Sequence, residues 1–581
     1  MCGLLFATAT IWAARPAVKP KPKPAPISAE ERAARALMGP LSLRDRVAQL
    51  VIGVCYGEAL SARNSDFQKY RHWVRDLHIG GLIVNNRVFN GIARNAEPHA
   101  TALFLNQMQK LSKTPLIVGG DFERGASMRI NAGTRFPYNM AYGAARDVEG
   151  SRIQGLITAR EARALGFHWV FAPVADVNVN PDNPVINLRS YGENPDDVAK
   201  HVAAYIDGAH SDPKNRVLVT AKHFPGHGDT NVDSHLGLPR LEVSKQRLDE
   251  VELKPFRAAI AAGIDSIMTA HMEVTAIESN EIPATVSAKV LTGLLREELK
   301  FPNLIVTDAL DMAGVALKFN SGEVSVRALE AGADVLLMPP DPERAIRAVV
   351  AAIENKRLTR ERVEASVIRI LAAKIRVGVI KKKLVDLDAI SDALDSPEGA
   401  DAAQKISDHA VTLVRNEGAL VPIKDAGRSC LVVATERRQS QLGQRLLDEY
   451  HRRAKSERAI VVDTTLPLAA MQDMLGDTKT CSVVVAASFA SVTPTADVVP
   501  FLQKLTEGSV PVVLVSLGGP YLLANVPKAA AYMAAFSPTV PSELSAVKAL
   551  FGEMAITGKM PVTIPGFAKY GEGIELRANS R

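Results

Sequence analysis

The sequence predicts an α/β protein in which a (β/α)8 TIM-like barrel is followed by a C-terminal αβα sandwich. Three observations predict it. Eight short apolar runs alternate with helix-patterned segments across about 330 residues, nearly every run ends in a charged or imidazole residue, and a second alternating region beyond Ile380 has too few runs to close a barrel. At 581 residues the chain exceeds one ordinary domain. The division read from it is 1–28 as leader and linker, 29–385 as catalytic barrel, 386–402 as linker and 403–581 as sandwich.

Residues 3–14 form an apolar run too short to cross a bilayer as a helix, and the Pro-Lys alternation of 17–26 reads as an extended spacer. Together they have the pattern of an export signal and tether, which places the protein in the periplasm or outside the cell. No basic segment precedes the run and no small-x-small cleavage site follows it, so a frayed cytoplasmic extension is the alternative. Barrel strands are expected at 47–54, 81–84, 115–119, 168–173, 217–221, 266–270, 304–307 and 335–338. Between them, segments such as 147–165, 196–210, 245–262, 287–299 and 323–331 carry apolar residues at three and four spacing, the helical period. Gly166, Gly263 and Gly332 supply helix stops just before the next strand. From Lys381 to Glu398 the Lys, Asp and Ser content reads as a connector. The second region has apolar runs at 410–414, 431–434, 459–462, 483–486, 512–516 and 530–534, which suits an open sheet with helices on both faces.

With 47% hydrophobic and 23% charged residues, the composition is that of a soluble globular protein and excludes an integral membrane domain. The formal charge is +6, but Arg15, Lys19, Lys21 and Lys23 all precede Ser28. The body is therefore close to neutral, and no nucleic-acid partner is expected. Cys2, Cys55, Cys430 and Cys481 show no metal-type spacing and read as isolated thiols.

In the barrel region, strand three ends in Asp121, strand four in Asp176, strand five in Lys222 and His223, strand six in His271 and Glu273, strand seven in Asp308 and strand eight in Asp341. Charge at the ends of buried strands is costly unless it faces a solvated pocket, so these residues mark a functional mouth, with His271 and Glu273 equally readable as structural partners. The densest stretch is 217–239, where Lys222, His223, His227, Asp229, Asp233 and His235 are interspersed with Pro225, Gly226 and Gly228. A metal site would need His223 and His227 on one helical face, which Pro225 and Gly226 prevent. A phosphate cradle would need a Gly-Lys-Ser/Thr ending, which is missing. General acid and base chemistry fits. Asp233 and His235 are two apart, so in an extended loop the carboxylate can orient the imidazole, which then gives and takes a proton. A second group comes from LIVTDALDM, where Asp308 ends strand seven and Asp311 competes with it.

The segment KHFPGHGDTNVDSH at 222–235, with GGDFERG upstream, NLRSYGENP between and VTDALDM downstream, resembles the bacterial β-N-acetylglucosaminidases of glycoside hydrolase family 3 over residues 43–379. HAVTLVRNEGALVPI and GKMPVTIPG look like the opening and close of that family's αβα sandwich. The resemblance implies a retaining mechanism: Asp308 forms a covalent glycosyl-enzyme, and His235, paired with Asp233, protonates the leaving oxygen and then activates water. It also implies sugar contacts from Asp121, Arg129, Arg189, Lys222 and His223, a carbohydrate partner bearing terminal N-acetylglucosamine, and no metal or organic cofactor. Two departures bear on the pocket. The family's Asp-Gln-Glu-Gly-Gly is here Asp121, Phe122, Glu123, Arg124 and Gly125, which brings an extra guanidinium toward the wall, and Asn187 replaces a glycine two residues before Arg189. The expected activity is exo-hydrolysis of β-linked N-acetylglucosamine from muropeptide or chitin-derived saccharides. A phosphorylase, a β-glucosidase and, from a different class, a non-catalytic carbohydrate-binding barrel are the alternatives. The sequence sets no oligomeric state.

Overall fold

The computed structural model describes residues 27–89, 92–394, 396–435, 441–455, 458–489 and 497–579. The leader and tether expected at 1–26, with Cys2, lie outside the described residues. The first described helix, Ala29–Met38, starts where the Ser28 hydroxyl accepts from the Glu31 N–H, with Glu30 and Glu31 at its positive end.

Eight strands form the barrel: β1 (Val51–Cys55), β2 (Gly81–Val84), β3 (Ile117–Gly120), β4 (Trp169–Val170), β5 (Leu218–Phe224), β6 (Ser266–Thr269), β7 (Leu304–Val306) and β8 (Leu336–Leu337). All pair in parallel, in the order β7-β6-β5-β4-β3-β2-β1-β8. The ring closes where Val306 pairs with Val335 and the Thr307 N–H donates to the Val335 carbonyl at 3.0 Å. Both faces of these strands are covered, which is why they read as continuous apolar runs. Trp169 fills part of the interior. Its indole N–H donates to Thr220 Oγ1 at 2.7 Å and Ser266 Oγ at 3.0 Å, so its polar tip is satisfied by neighbouring strands.

The expected strand at 47–54 is corrected at its start: Leu43–Ala48 is a helix capped by Ser42, and only Val51 onward is strand. At the amino-terminal ends of the strands, buried Asp265 pairs with His210, Arg216 and Arg376, and buried Asp334 pairs with Arg296 and Arg369. These carboxylates tie β6 and the turn before β8 to the outer helices.

The stretch read as a connector carries a short helix, Ile390–Leu394, and then a longer one, Pro397–Ala410, that runs into the second domain. Six strands follow: β9 (Thr412–Asn416), β10 (Ser429–Thr435), β11 (Ala459–Asp463), β12 (Val483–Ser488), β13 (Val512–Ser516) and β14 (Ala531–Ala534). Their order is β9-β14-β13-β12-β10-β11, with β9 antiparallel and the rest parallel. Alternate residues go to opposite faces: Leu431, Val433 and Val485 pack with Leu446 and Tyr450, while Val432, Val484 and Leu514 pack with Phe501 and Leu502. Cys430 and Cys481 form a disulfide, with Cα atoms 5.9 Å apart, which corrects the reading of isolated thiols; Cys55 is free and buried. The β10–β12 register pairs Cys430 with Val484 and so brings the two thiols together across 51 residues of sequence. No described helix is long and apolar enough to cross a membrane.

Candidate active site

At the carboxyl ends of the barrel strands lies a cavity of about 440 Å³ whose wall includes Asp121, Arg129, Arg189, Lys222, His223, His235 and Asp308. Strand β5 delivers Lys222 and His223. All seven of its residues are buried, and its ladder to β6 slips between Ala221 and Phe224, where these two side chains enter the mouth. Lys222 Nζ lies 2.9 Å from Asp121 Oδ1 and 2.8 Å from Glu123 Oε1. Arg129 donates to the other Asp121 oxygen at 2.9 Å. Arg189 grips Glu123 through two bonds of 2.7 and 2.9 Å and reaches to 3.2 Å from His223 Nε2. On its other side, His223 Nδ1 faces Asp176 at 2.8 Å, and the backbone N–H of His227 donates to the same carboxylate at 2.7 Å.

Three fixed cations thus interleave with two carboxylates in a partly buried chain, so each charge is paired. Burial pushes the Asp121 carboxyl up, but Lys222 and Arg129 outweigh it and bring it to about 2. Burial opposes ionisation of Glu123 as well, and Arg189 with Lys222 hold it well below the usual carboxylate range. The wall therefore presents fixed charges and hydrogen-bond groups of both kinds, as needed to orient a ring of hydroxyls.

Asp308 follows β7. Burial favours its neutral form, but the His223 and His271 imidazoles, the Ala309 N–H (2.8 Å from Oδ1) and Lys222 hold it below the ordinary aspartate value. Asp311 lines the same cavity and is shifted the other way, by burial and by the charge of Asp308. Of the two candidates left open in LIVTDALDM, the surroundings of Asp308 favour the carboxylate form that a nucleophile needs, and those of Asp311 disfavour it.

His235 and Asp233 sit in a turn rather than the extended loop expected. Leu236 and Gly237 both donate to the Asp233 carbonyl, and Asp233 Oδ1 accepts from the His235 N–H and lies 2.8 Å from His235 Nδ1. This Asx-type turn still pairs the two side chains through Nδ1, on a residue that lines the cavity. The His235 side chain is 59% exposed, whereas Asp308 is half-buried. Pro225, Gly226 and Gly228 set the approach of this loop. A Cβ at Gly228 would lie 1.9 Å from the Val177 carbonyl oxygen, so the glycine serves close packing against the segment after β4.

Residues 42–373 match the model described as the glycosyl hydrolase family 3 N terminal domain. The chain belongs to glycosyl hydrolase family 3. It is 33% identical over 368 residues to a "Beta-hexosaminidase A" of Pseudoalteromonas piscicida, which covers 59% of this chain and 60% of that one. It is 30% identical over 368 residues to a "Beta-N-acetylglucosaminidase/beta-glucosidase" of Cellulomonas fimi, covering 62% and 63%. The matched stretch thus spans less than two thirds of either relative. Among solved structures, a family 3 β-N-acetylglucosaminidase from Paenibacillus sp. str. FPU-7 superposes with a TM-score of 0.80 at 33% identity, covering 90% of this chain and 99% of that one.

Within this family 3 barrel, not every strand-end residue reaches the mouth. Asp341 does not: it caps the helix Pro342–Glu354 by accepting from the Arg344 N–H at 2.9 Å. Glu273 is buried, pairs with Arg240 at 2.9 Å and accepts from the Glu281 N–H. His271 is buried between Thr285 and the Ala309 carbonyl, where it props the backbone beside Asp308. Arg124 stacks its guanidinium 4.8 Å over the Tyr138 ring, behind the wall rather than in it. Asn187 takes φ +38°, a left-handed conformation that asparagine tolerates, which accounts for its standing where a glycine is usual. Glu123, whose partners lie 66 and more residues away, is the wall residue that sequence reasoning missed.

No described residue beyond Met338 lines the cavity, yet the second domain braces it. Tyr521 accepts from Asn178 Nδ2 at 2.9 Å, and Thr563 donates to Glu193 through its N–H and its hydroxyl at 2.6 and 2.7 Å. Glu193 in turn donates its N–H to Pro561. The 187–193 loop bearing Arg189 is therefore held from outside the barrel.

The loop bearing Arg129 has its own support in Glu161, on the helix Val148–Leu165. Glu161 Oε1 accepts from the Thr134 N–H and hydroxyl, both at 2.7 Å. Burial raises this carboxyl from 4.5 to about 7 against those bonds. The folded state thus keeps a proton that the unfolded chain releases, so Glu161 costs stability progressively as pH rises from 4.5 through 7. We expect Glu161→Gln to gain on the wild type by about 2–3 kcal/mol between pH 5 and pH 8 in urea denaturation. A pH-independent difference would contradict this.

Proposed function

We propose that the chain is a retaining exo-β-N-acetylglucosaminidase that removes terminal β-linked N-acetylglucosamine from cell-wall or chitin-derived saccharides. The observation that carries this reading is one cavity lined both by a half-buried Asp308 whose carboxyl is held below the ordinary aspartate value and by the exposed, Asp233-oriented His235. In the first step an Asp308 oxygen bonds to the anomeric carbon as the glycosidic bond breaks, and His235 Nε2 gives its proton to the departing oxygen. In the second, the neutral imidazole takes a proton from water, whose oxygen bonds to the anomeric carbon as the aspartyl ester breaks. Two inversions leave the configuration retained. The paired chain from Arg129 to His223 holds the sugar hydroxyls while the bond polarises. Similarity to the Pseudoalteromonas piscicida β-hexosaminidase supports the sugar class, and similarity to the Cellulomonas fimi β-N-acetylglucosaminidase/β-glucosidase favours some β-glucosidase activity as a second reading.

The test is a panel of nitrophenyl β-N-acetylglucosaminide and β-glucoside, each with and without phosphate. We expect kcat/KM for the N-acetyl sugar to exceed that for the glucoside by at least about tenfold, because a site built around a polar substituent discriminates strongly against its loss. Free sugar should be the product in both buffers. A reversed preference would reassign the substrate, and sugar 1-phosphate as the product would make the enzyme a phosphorylase. The 3–14 apolar run and the Cys430–Cys481 disulfide support a location outside the cytoplasm, which recovery of the chain solely from the cytosolic fraction would overturn.

A further inference from the structure

A second cavity, of about 460 Å³, lies at the amino-terminal face of the barrel, opposite the catalytic mouth. Its wall joins three parts of the chain: the end of the helix Val148–Leu165, the turns leading into β4 and β5, and the Lys-rich connector to the second domain. From these come Arg160, Arg163, His168, Lys214, Lys382 and Lys383. Asp386 and Asp392 are the carboxylates in the same wall, so five cationic side chains face two acids.

The pairing of these cations separates this cavity from the many ion-paired surfaces of the molecule. Arg160 is engaged by Glu398 at 3.0 Å and Asp212 at 3.8 Å. Arg163, Lys214, Lys382 and Lys383 form no ion pair among the described residues, and Arg163 Nη1 is buried with no hydrogen-bond partner. A guanidinium N–H removed from water without an acceptor is costly, and an anionic acceptor repays that cost best. His168 adds a donor. Its Nδ1 accepts from the Val118 N–H at 3.3 Å, and burial holds the imidazole neutral, so its single proton sits on Nε2. By contrast the cations of the catalytic mouth are all matched to carboxylates.

We propose that this cavity binds a small polyanion bearing phosphate or carboxylate groups, held between the barrel floor and the connector. The volume exceeds what a single inorganic phosphate fills, and cations from three chain segments suit a ligand with several charged groups. A bound polyanion would cross-link the barrel to the segment that leads into the second domain. The inference stands apart from the glycosidase reading, because no residue of this cavity belongs to the catalytic mouth.

The experiment uses the full chain, with inorganic pyrophosphate and citrate as probes, titrated at constant ionic strength and followed by calorimetry and thermal unfolding. We expect saturable binding of at least one probe, with Tm raised by about 3 °C or more near saturation. Arg163→Met and the double change Lys382→Ala/Lys383→Ala should each weaken binding at least about tenfold, and Asp308→Ala should leave it intact. The lysine pair lies toward the surface and serves if the arginine variant folds poorly. Binding of pyrophosphate alone identifies a phosphate ligand, of citrate alone a polycarboxylate, and of both the shared chemistry. No saturable binding, or binding indifferent to both variants, would overturn the proposal.

Discussion

Asp308→Ala is expected to lower kcat on aryl β-N-acetylglucosaminides by about four orders of magnitude or more, because it removes the atom that bonds to the sugar. The surroundings of Asp308 support so large an effect. The group is half-buried, its carboxyl is held low by neighbouring imidazoles, an N–H and Lys222, and no other cavity carboxylate shares that shift without also being ion-paired. Asp311 is the less suited of the two, since burial and the charge of Asp308 raise its carboxyl above the ordinary aspartate value. Azide supplied to the variant should restore glycosyl transfer and give the α-glycosyl azide, the product of a single inversion. The same shift sets an acid limit. The folded value lies below the ordinary 3.8, so the nucleophile stays ionised above that pH and activity is lost as pH falls through the lowered value. A kcat/KM profile with an acid limb well above 4 that vanishes in Asp311→Asn would instead implicate Asp311.

His235→Ala is expected to lower kcat/KM by about 10²- to 10⁴-fold on oligosaccharides, and far less on dinitrophenyl glycosides, whose leaving group needs no proton. That contrast separates a proton donor from a residue that only shapes the pocket, which would affect both substrates alike. His235 is mostly exposed, so the variant should unfold within about 0.5 kcal/mol of the wild type. Asp233→Asn should show a smaller loss of the same pattern. The amide can still accept from the His235 N–H but no longer supplies the charge that supports the imidazolium.

The barrel was legible because covered parallel strands leave unbroken apolar runs, and because β5 and β7 end in residues too polar for a core. Boundaries failed where periodicity has no purchase: Leu43–Ala48 is an apolar helix contiguous with an apolar strand, and a short run of either kind reads the same. Asp341 reads as a mouth residue by its place after a strand, but the Asp-Pro pair at 341–342 is equally a helix start, which the structure makes it. Asp233 and His235 were legible as a pair since they interact locally. Glu123 was not, because its significance arises only when Lys222 and Arg189 arrive from other strands and loops. The choice between Asp308 and Asp311 depends on burial and on neighbours no spacing rule supplies, and the Cys430–Cys481 bond depends on strand order.

The central claim is a covalent glycosyl ester on Asp308, and trapping it is the most direct measurement. The protein is incubated with an activated 5-fluoro N-acetylglucosaminyl fluoride, which forms the intermediate faster than it hydrolyses, and is then digested and mapped by mass spectrometry. The account predicts one sugar adduct per chain, on the peptide containing Asp308, lost on chase with an acceptor sugar. An adduct on Asp311, or steady turnover with no protein adduct because the substrate's own acetamide serves as nucleophile, would contradict it.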